Sequence, residues 1–549
     1  MRVAALQTNP TLGAIAANVD ELLEGYRAAA ERGAELVVAP EMAVSGYPPR
    51  DLLDRDELLD AIDGALDVLR DATADGPAFI VGAPVRSPHA DGRTLQNAAF
   101  FFDGGALVAR RAKTLLPTYD VFEDARYFEP AREQGVIEWR GRRIALTICE
   151  DLWNDHTLFE RPRYPVDPVA TLGEEGFDLL INLSASPWRL GKEAIRDRIA
   201  RHAARRWGAP VLYVNQVGAH DELIFDGQSF AMDAVGRMIG RGEAFATGTF
   251  LVDIDDEGDD EAADPIPDAE KVFEALVLGV RDYFRRTGFQ RAVIGISGGI
   301  DSALTAAVAC EALGADRVLG VTMPGPYSSR GSVTDSEDLA EALGFELIEV
   351  PIGAAYDAFV GMLAETFEGR DPDVTEENLQ ARARGVVLMA ISNKTGRLVL
   401  TTGNKSEMAV GYATLYGDMC GALGVLADVP KVLVYDLCRW LNRDGVRIPT
   451  AIIDKPPSAE LAPDQRDDDT LPAYEDLDPI LEAFIERDRS IDQIVEEGHD
   501  RATVERIVRL VQRNEYKRRQ AAPALRVTSR AFGMGRRMPL TARWADIFG

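Results

Sequence analysis

The chain has 549 residues, 46% hydrophobic and 27% charged, a composition typical of globular enzymes, and its length predicts roughly three to four domains, although two large ones would suffice. Its formal net charge of −30 disfavours a broad nucleic-acid interface, and with it a tRNA-modifying function, because most of the surface would repel phosphate. No apolar run has membrane-spanning length, the N-terminus lacks the pattern of a signal peptide, and four cysteines without a Cys-x-x-Cys pair predict a reducing cytoplasm.

Short apolar segments separated by helical runs fill the first half of the chain. The segments predicted as strands are residues 3–6, 36–38, 79–82, 98–102, 144–148, 179–183 and 211–215. Glu41, Lys113 and Cys149 each follow a β-rich segment. A thiolate is a competent nucleophile, a carboxylate can accept its proton, and an ammonium can stabilise an oxyanion, so the three predict a nucleophilic site. The alternative for Cys149 alone is a small buried hydrophobic residue.

The sequences around these three residues resemble the nitrilase superfamily. They read Val-Val-Ala-Pro-Glu-Met, Arg-Arg-Ala-Lys-Thr-Leu-Leu-Pro and Ala-Leu-Thr-Ile-Cys-Glu-Asp. The resemblance extends over residues 33–53, 97–130, 143–153 and 177–188. It implies an α-β-β-α sandwich in which Cys149 attacks, Glu41 is the base and Lys113 supports the oxyanion. No histidine stands in a convincing Cys-His arrangement, which disfavours a Cys-His-Glu glutaminase.

An acidic, proline-punctuated stretch at residues 253–268 separates the two halves. It reads DIDDEGDDEAADPIPD and has too little apolar content to be buried. We therefore predict an N-terminal domain at residues 1–252, an acidic linker at 253–270 and a C-terminal domain at 271–549.

The second half alternates apolar strands with helical runs, which predicts a doubly wound parallel sheet. Strands are predicted at residues 292–296, 317–322 and 346–350, and helices at 303–313 and 336–343. The first strand leads into Ser-Gly-Gly-Ile-Asp-Ser, residues 297–302. Glycines, loop amides and the following helix N-terminus favour a phosphate site there, with Asp301 placed to hold Mg²⁺. The alternative is an ordinary glycine turn that caps a helix.

This loop is neither a Walker A sequence nor a Gly-x-Gly-x-x-Gly fingerprint, which disfavours kinases and dehydrogenases. It resembles the pyrophosphate loop of the ATP pyrophosphatase superfamily, whose members cleave ATP to AMP and pyrophosphate. The resemblance implies the following ATP-binding residues: Gly295, Ile296, Ser297, Gly298, Gly299, Ile300, Asp301 and Ser302.

Taken together, the two halves resemble the glutamine-dependent NAD synthetase family. The further motifs that carry this resemblance begin at Thr401, Tyr416, Pro430, Asp454 and Tyr516. The resemblance implies that Thr402 and Lys431 contact ATP and that Asp301 and Glu407 hold Mg²⁺. It also implies that Asn378, Glu407 and Lys517 border deamido-NAD. Tyr119, Ser186 and Lys192 match the glutamine-binding residues of the family.

The reaction implied by this resemblance is an ATP-dependent amidation. Ammonia from glutamine, or free ammonia, would convert deamido-NAD to NAD through an NAD-adenylate, releasing AMP, pyrophosphate and glutamate. The resemblance also implies a homo-oligomer, while charge, apolar run length and cysteine spacing predict a cytoplasmic protein with no nucleic-acid or membrane partner. Two alternatives stay open: an enzyme of the same logic with another acid substrate, and an N-terminal half that only binds or assembles subunits.

Overall fold

The computed structural model describes residues 1–259, 266–462, 465, 467 and 471–543. These residues form two compact units, Met1–Pro265 and Ile266–Gly549. The predicted linker lies partly outside the described residues, at 260–265. Regular structure reaches into both ends of that segment, because a strand ends at Asp253 and a helix begins at Asp268. The domain bounds stay predictions.

The first unit contains fourteen strands and five helices among its described residues. The strands are β1 Arg2–Gln7, β2 Leu36–Val38, β3 Ala78–Arg86, β4 Leu95–Asp103, β5 Ala106–Ala112, β6 Ile137–Trp139, β7 Arg142–Ile148, β8 Leu179–Ser184, β9 Val211–Asn215, β10 Val217–His220, β11 Leu223–Asp226, β12 Phe230–Met232, β13 Met238–Arg241 and β14 Gly248–Asp253. The helices are α1 Ile15–Glu31, α2 Asp56–Ala72, α3 Asp124–Tyr127, α4 Pro168–Glu175 and α5 Lys192–Trp207.

Two six-stranded sheets lie face to face in this unit. Their strand orders are β14-β1-β2-β3-β4-β5 and β13-β12-β9-β8-β7-β6. Strand periodicity places Val3 in the core between the sheets and its neighbour Ala4 in the core beneath α1 and α2. Helices α4 and α5 cover the outer face of the second sheet. The predicted α-β-β-α sandwich is confirmed.

The second unit is built around one parallel sheet. Its strands are β15 Ala292–Gly295, β16 Val318–Thr322, β17 Glu346–Glu349, β18 Leu398–Thr401 and β19 Leu423–Gly424. Its described helices are α6 Asp268–Thr287, α7 Ile300–Leu313, α8 Arg330–Leu343, α9 Gly353–Leu363, α10 Val374–Thr395, α11 Lys405–Val410, α12 Lys431–Leu441, α13 Thr450–Asp454, α14 Tyr474–Leu481, α15 Ile491–Glu496, α16 Arg501–Arg513 and α17 Glu515–Arg518.

The strand order of this sheet is β17-β16-β15-β18-β19, and every pairing in it is parallel. The chain leaves β15 towards β16 and later returns on the other side, to β18. The carboxyl ends of β15 and β18 therefore form a topological switch point, where ligands of doubly wound sheets bind. Helix α10 packs on one face of β15 through the core that contains Val293, and α7 packs against the same strand. The predicted doubly wound sheet is confirmed.

A helical cluster completes the second unit. The apolar faces of α14, α15 and α16 pack together with Ala409 and Val410 of α11. Within the part of the chain that the structure describes, no helix combines the length and apolarity needed to cross a membrane.

Candidate active sites

The first candidate site lies where strands of both sheets in the first unit end. Glu41 follows β2, Lys113 follows β5, and Cys149 follows β7. All three are buried, at 1%, 1% and 6% exposure respectively. The structure therefore brings the predicted base and ammonium together with a buried thiol, although 72 residues separate Glu41 from Lys113.

The carboxylate of Glu41 is fixed by three donors. Its Oε1 accepts from Lys113 Nζ at 2.8 Å and from Asn97 Nδ2 at 2.6 Å. Its Oε2 accepts from the backbone N–H of Ala185 at 2.9 Å. Asn97 lies on β4 of the first sheet and Ala185 follows β8 of the second. These bonds hold the carboxylate in one orientation, which a general base requires.

Lys113 has a second anionic partner that the sequence did not indicate. Its Nζ donates to Asp124 Oδ2 at 2.7 Å, and Asp124 Oδ1 accepts from the hydroxyl of Tyr47 at 2.9 Å. Burial opposes the charged form of Lys113, but the charges of Asp124 and Glu41 outweigh it and raise the pKa well above its ordinary value. Lys113 is therefore a permanent cation at neutral pH.

Cys149 occupies a sharp turn between β7 and a short 3₁₀ turn at Cys149–Leu152. Its φ of 47° lies in the left-handed region, which is costly for a residue other than glycine and is found at functional positions. Burial and the charge of Glu41 raise the pKa of the thiol well above its ordinary value, and Lys113 acts in the opposite sense. The resting thiol is therefore protonated, and a neighbouring base has to remove its proton.

Two of the three predicted glutamine residues, Tyr119 and Lys192, interact with Glu150, the residue that follows the cysteine. The hydroxyl of Tyr119 donates to both carboxylate oxygens of Glu150 at 2.9 Å. The ammonium of Lys192 lies 4.4 Å from the ring centre of Trp153, and its charge acts on Glu150. The third residue, Ser186, is held by another partner: its backbone N–H donates to Asn215 Oδ1 at 2.9 Å. Glu150 stands in the quoted Cys-Glu-Asp motif, but the sequence assigned it no role.

The second candidate site begins at the loop between β15 and α7. Its turn is closed by hydroxyl groups: Ser302 Oγ accepts from the backbone N–H of Ser297 at 3.3 Å and donates to Gly299 O at 2.9 Å. Gly298 has a φ of 72°, and a Cβ there would lie 2.4 Å from the carbonyl oxygen of Ser332. Glycine is therefore the residue that this turn admits. Gly295, Ile296 and Ile300 lie in or beside the turn, and their contact with ATP stays a prediction.

A buried cation joins the two predicted metal ligands. Lys431, 2% exposed, donates to Asp301 Oδ2 and lies 3.6 Å from Glu407 Oε1. Asn404 Nδ2 donates to the other oxygen of Asp301 at 2.9 Å. Burial and the charge of Asp301 raise the pKa of Glu407 to about 8. Asp301, Glu407 and Lys431 therefore form one compact charged group at the switch point.

Thr402 follows β18, the strand paired in parallel with β15. It lies at the same edge of the sheet as the glycine loop. Among the described residues no hydrogen bond involves the Thr402 side chain. Its predicted contact with ATP therefore rests on its position alone.

Asn378 and Lys517 meet at another segment, residues 411–414. The hydroxyl of Thr414 donates to Asn378 Oδ1 at 2.8 Å. Lys517 Nζ donates to the carbonyl oxygens of Gly411 and Ala413 at 2.8 and 2.7 Å, and burial lowers its pKa. The backbone N–H of Gly411 in turn donates to Glu407 O at 2.9 Å. One short segment thus connects all three residues predicted to border deamido-NAD.

Comparison with known proteins assigns each half of the chain. Residues 2–260 match the carbon-nitrogen hydrolase family, and residues 272–521 match the NAD synthase family. The sandwich with its buried cysteine site and the doubly wound sheet with its glycine loop therefore define a two-part enzyme of these classes.

Relatives that match over the full length identify the particular family. The glutamine-dependent NAD(+) synthetase of Synechocystis sp. is 45% identical over 98% of this chain and 98% of its own. That of Thermotoga maritima is 40% identical over 100% of this chain and 99% of its own. A solved structure of the Acinetobacter baumannii glutamine-dependent NAD+ synthetase, in complex with ADP, has a TM-score of 0.78 and 37% identity and covers 99% of each chain. The chain belongs to the family of glutamine-dependent NAD(+) synthetases.

Proposed function

We propose that the two candidate sites divide between them the reaction of this family. That reaction is the ATP-dependent amidation of deamido-NAD to NAD, with nitrogen from glutamine. The observation that carries the proposal is the buried Lys113, which is bonded to Glu41 beside the nucleophile candidate Cys149. This arrangement fits amide hydrolysis in the half of the chain that matches carbon-nitrogen hydrolases.

In the first half-reaction Glu41 takes the thiol proton as Cys149 sulfur bonds to the glutamine carboxamide carbon. Lys113 stabilises the negative oxygen that forms, because its charge is held permanently nearby. When the tetrahedral intermediate collapses, the C–N bond breaks and ammonia leaves with the proton from Glu41. Water, deprotonated by the same carboxylate, then hydrolyses the glutamyl thioester to glutamate and restores the thiol.

Recognition of glutamine follows from charge. The ammonium of Lys192 suits the α-carboxylate of the amino acid, whereas the carboxylate of Glu150 suits its α-ammonium. Tyr119 holds Glu150 through its hydroxyl, and Arg163 stacks on the Tyr119 ring at 3.8 Å. We assign Tyr119, Ser186 and Lys192 to the glutamine site on this basis and on family resemblance.

In the second half-reaction the nicotinate carboxylate of deamido-NAD attacks the α-phosphate of ATP. Pyrophosphate leaves, and an NAD-adenylate forms. Ammonia then bonds to the activated carbonyl carbon, and AMP departs with its electron pair. The 297–302 loop, with the N-terminus of α7, suits the phosphates, and Lys431 and Thr402 lie at the same edge of the sheet.

We assign a magnesium ion to Asp301 and Glu407, whose carboxylates lie on either side of the Lys431 ammonium. Among the described residues no group of three or more His, Cys, Asp or Glu side chains could hold a metal, so these two carboxylates would share the ion with phosphate oxygens and water. Mg²⁺ is commonly bound in this way. Burial and, after it, the charge of Asp301 raise the pKa of Glu407 to about 8, and a bound cation would act in the opposite sense, as Lys431 already does. When bound, the ion would neutralise charge on the phosphates.

Three further features belong to this proposal. Asn378, Glu407 and Lys517 border deamido-NAD, and the 411–414 segment that joins them supports this. The family resemblance supports a homo-oligomer. A cytoplasmic location is also part of the proposal, on the cysteine spacing of the sequence.

The test is product analysis with the unmodified enzyme. Deamido-NAD, ATP, Mg²⁺ and either glutamine or ammonium should give one AMP and one pyrophosphate for each NAD formed. Glutamine should also give one glutamate. Formation of ADP, or no NAD from either nitrogen source, would contradict the proposal and favour another acid substrate.

A further inference from the structure

A fully buried ion pair lies behind the glutamine residues. Arg196 on α5 and Asp226 at the end of β11 have side chains 1% and 0% exposed, and Arg196 Nη2 donates to Asp226 Oδ1 at 2.7 Å. Arg196 Nε is buried without a hydrogen-bond partner in the described part of the chain. A buried ion pair is weak evidence for a stabilising role, because apolar residues of similar volume often give a core the same stability. A role other than stability therefore has to explain why this pair is buried here.

One end of the pair controls the helix that carries Lys192. Lys192 is the first residue of α5, and Arg196 is four residues later, on the same helical face. The residue before the helix, Gly191, has no side chain that could cap the helix and has a φ of 75°. The bond from Arg196 to Asp226 therefore ties the first turns of α5 to the end of β11, beside the apolar packing of the rest of the helix on the second sheet.

The other end controls the backbone at Ser186. Asp226 Oδ1 accepts from Asn215 Nδ2 at 3.3 Å, and Gly227 O accepts from the same nitrogen at 3.0 Å. Because both Asp226 Oδ1 and Gly227 O are acceptors, the NH₂ group of Asn215 has to point towards them. Its Oδ1 consequently faces the other way and accepts the backbone N–H of Ser186 at 2.9 Å. The buried anion thus sets the orientation of an amide that holds Ser186.

We propose that Arg196 and Asp226 are positioning residues for glutamine. The ion pair fixes the spacing between Lys192, reached through α5, and Ser186, reached through Asn215. Neither member of the pair is assigned a contact with the reacting atoms. The inference rests on the proposed glutaminase function of this site.

The test compares two nitrogen sources in one protein. Arg196→Met, in the full chain, should raise the KM for glutamine roughly ten- to hundredfold, because small displacements of binding groups have effects of this size. The rate of NAD formation from ammonium should stay unchanged. Arg196→Lys retains a cation near Asp226 and should recover part of the glutamine affinity. Arg237→Met is the control for loss of an arginine–aspartate pair, because it removes a half-buried pair with Asp233 at 2.8 Å elsewhere in the unit. It should keep the wild-type KM.

A second variant guards against misfolding. Arg196→Met leaves Asp226 buried without its cation, so the double variant Arg196→Met, Asp226→Asn removes both charges while position 226 keeps an oxygen acceptor. It should fold and still show the raised KM, because the tether to α5 is lost. A wild-type KM in either folded variant would overturn the inference. Failure of the proposed function would instead appear in the unmodified enzyme, as no NAD from glutamine.

Discussion

Lys113 donates one hydrogen bond to Glu41 at 2.8 Å and another to Asp124 at 2.7 Å, so a single buried ammonium is shared by two carboxylates. In the proposed reaction we assign the role of base to Glu41, whose charge acts on the Cys149 thiol more strongly than that of Asp124. Asp124, held by Tyr47, has the different task of keeping Lys113 charged and stationary.

This division of labour predicts the behaviour of Asp124→Asn. One amide oxygen can still accept from Tyr47, but the NH₂ group would face the ammonium of Lys113, donor against donor. The pKa of Lys113 should fall, because the Asp124 charge raises it. We expect glutamine-driven NAD formation to drop by roughly a hundredfold, since the oxyanion loses a fixed cation. NAD formation from ammonium should not change.

Asp51→Asn is the control for that experiment. Asp51 also accepts from a tyrosine hydroxyl, that of Tyr127 at 2.6 Å, but this contact is exposed. Steady-state rates with both nitrogen sources would decide. A normal glutamine rate in Asp124→Asn would show that Lys113 does not need its second partner.

The raised pKa of Cys149 predicts a pH profile for alkylation. Only the thiolate reacts with iodoacetamide, and a raised pKa means that less thiolate is present at neutral pH. In the enzyme without substrate, the alkylation rate of Cys149, followed by peptide mass spectrometry, should therefore keep rising beyond pH 9. Cys149→Ala should lack the modified peptide. A rate that levels off below pH 8 would instead mean a resting thiolate paired with Lys113.

Gly298→Ala tests the glycine loop. A Cβ at position 298 would lie 2.4 Å from Ser332 O on a backbone with φ 72°, so the turn must distort. We expect about 1 to 3 kcal/mol less stability and loss of NAD formation from both nitrogen sources. Gly353→Ala is the control, because nothing lies within 4 Å of its Cβ. Thermal unfolding and both rates would be measured. A normal ammonium-driven rate in Gly298→Ala would argue against phosphate binding at this loop.

Lys431→Met tests the charged group of the second site. It removes the buried ammonium and leaves Asp301 and Glu407 facing each other. We expect both glutamine- and ammonium-driven NAD formation to fall by at least about a hundredfold. Lys394→Met, at an exposed position near the end of α10, should behave like the parent. A variant that loses only the glutamine-driven rate would contradict the assignment of Lys431 to the ATP site.

Several parts of this structure could be predicted from sequence because they are local. Strand β2 was predicted with its observed bounds at residues 36–38, and β9 at residues 211–215. Continuous apolar runs ended by a turn identify such buried strands. The 297–302 loop could also be predicted, because its glycine and serine residues are neighbours in the sequence. Strands β12 and β13, by contrast, were not predicted, because alanine, glycine and arginine interrupt the apolar residues in Phe-Ala-Met and Met-Ile-Gly-Arg, whereas β2 reads Leu-Val-Val without a break.

The other site residues are brought together only by tertiary contacts, which the sequence does not reveal. Asp124 lies in an ordinary acidic stretch, and only the fold shows that Lys113 reaches it. Asn215 and Asp226 end two different strands, and nothing in their neighbours along the chain indicates a shared hydrogen bond. Asn378 and Lys517 were assigned by resemblance alone, and the 411–414 segment that connects them could not be read from spacing.

The most direct test of the whole account is the Cys149→Ala variant, supplied in parallel with glutamine and with ammonium. NAD formation from deamido-NAD, ATP and Mg²⁺ would be measured for the variant and its parent. We expect the glutamine-driven rate to disappear while the ammonium-driven rate stays at the parental value. Loss of both rates in a folded variant, or retention of the glutamine-driven rate, would contradict the division of the reaction between the two sites.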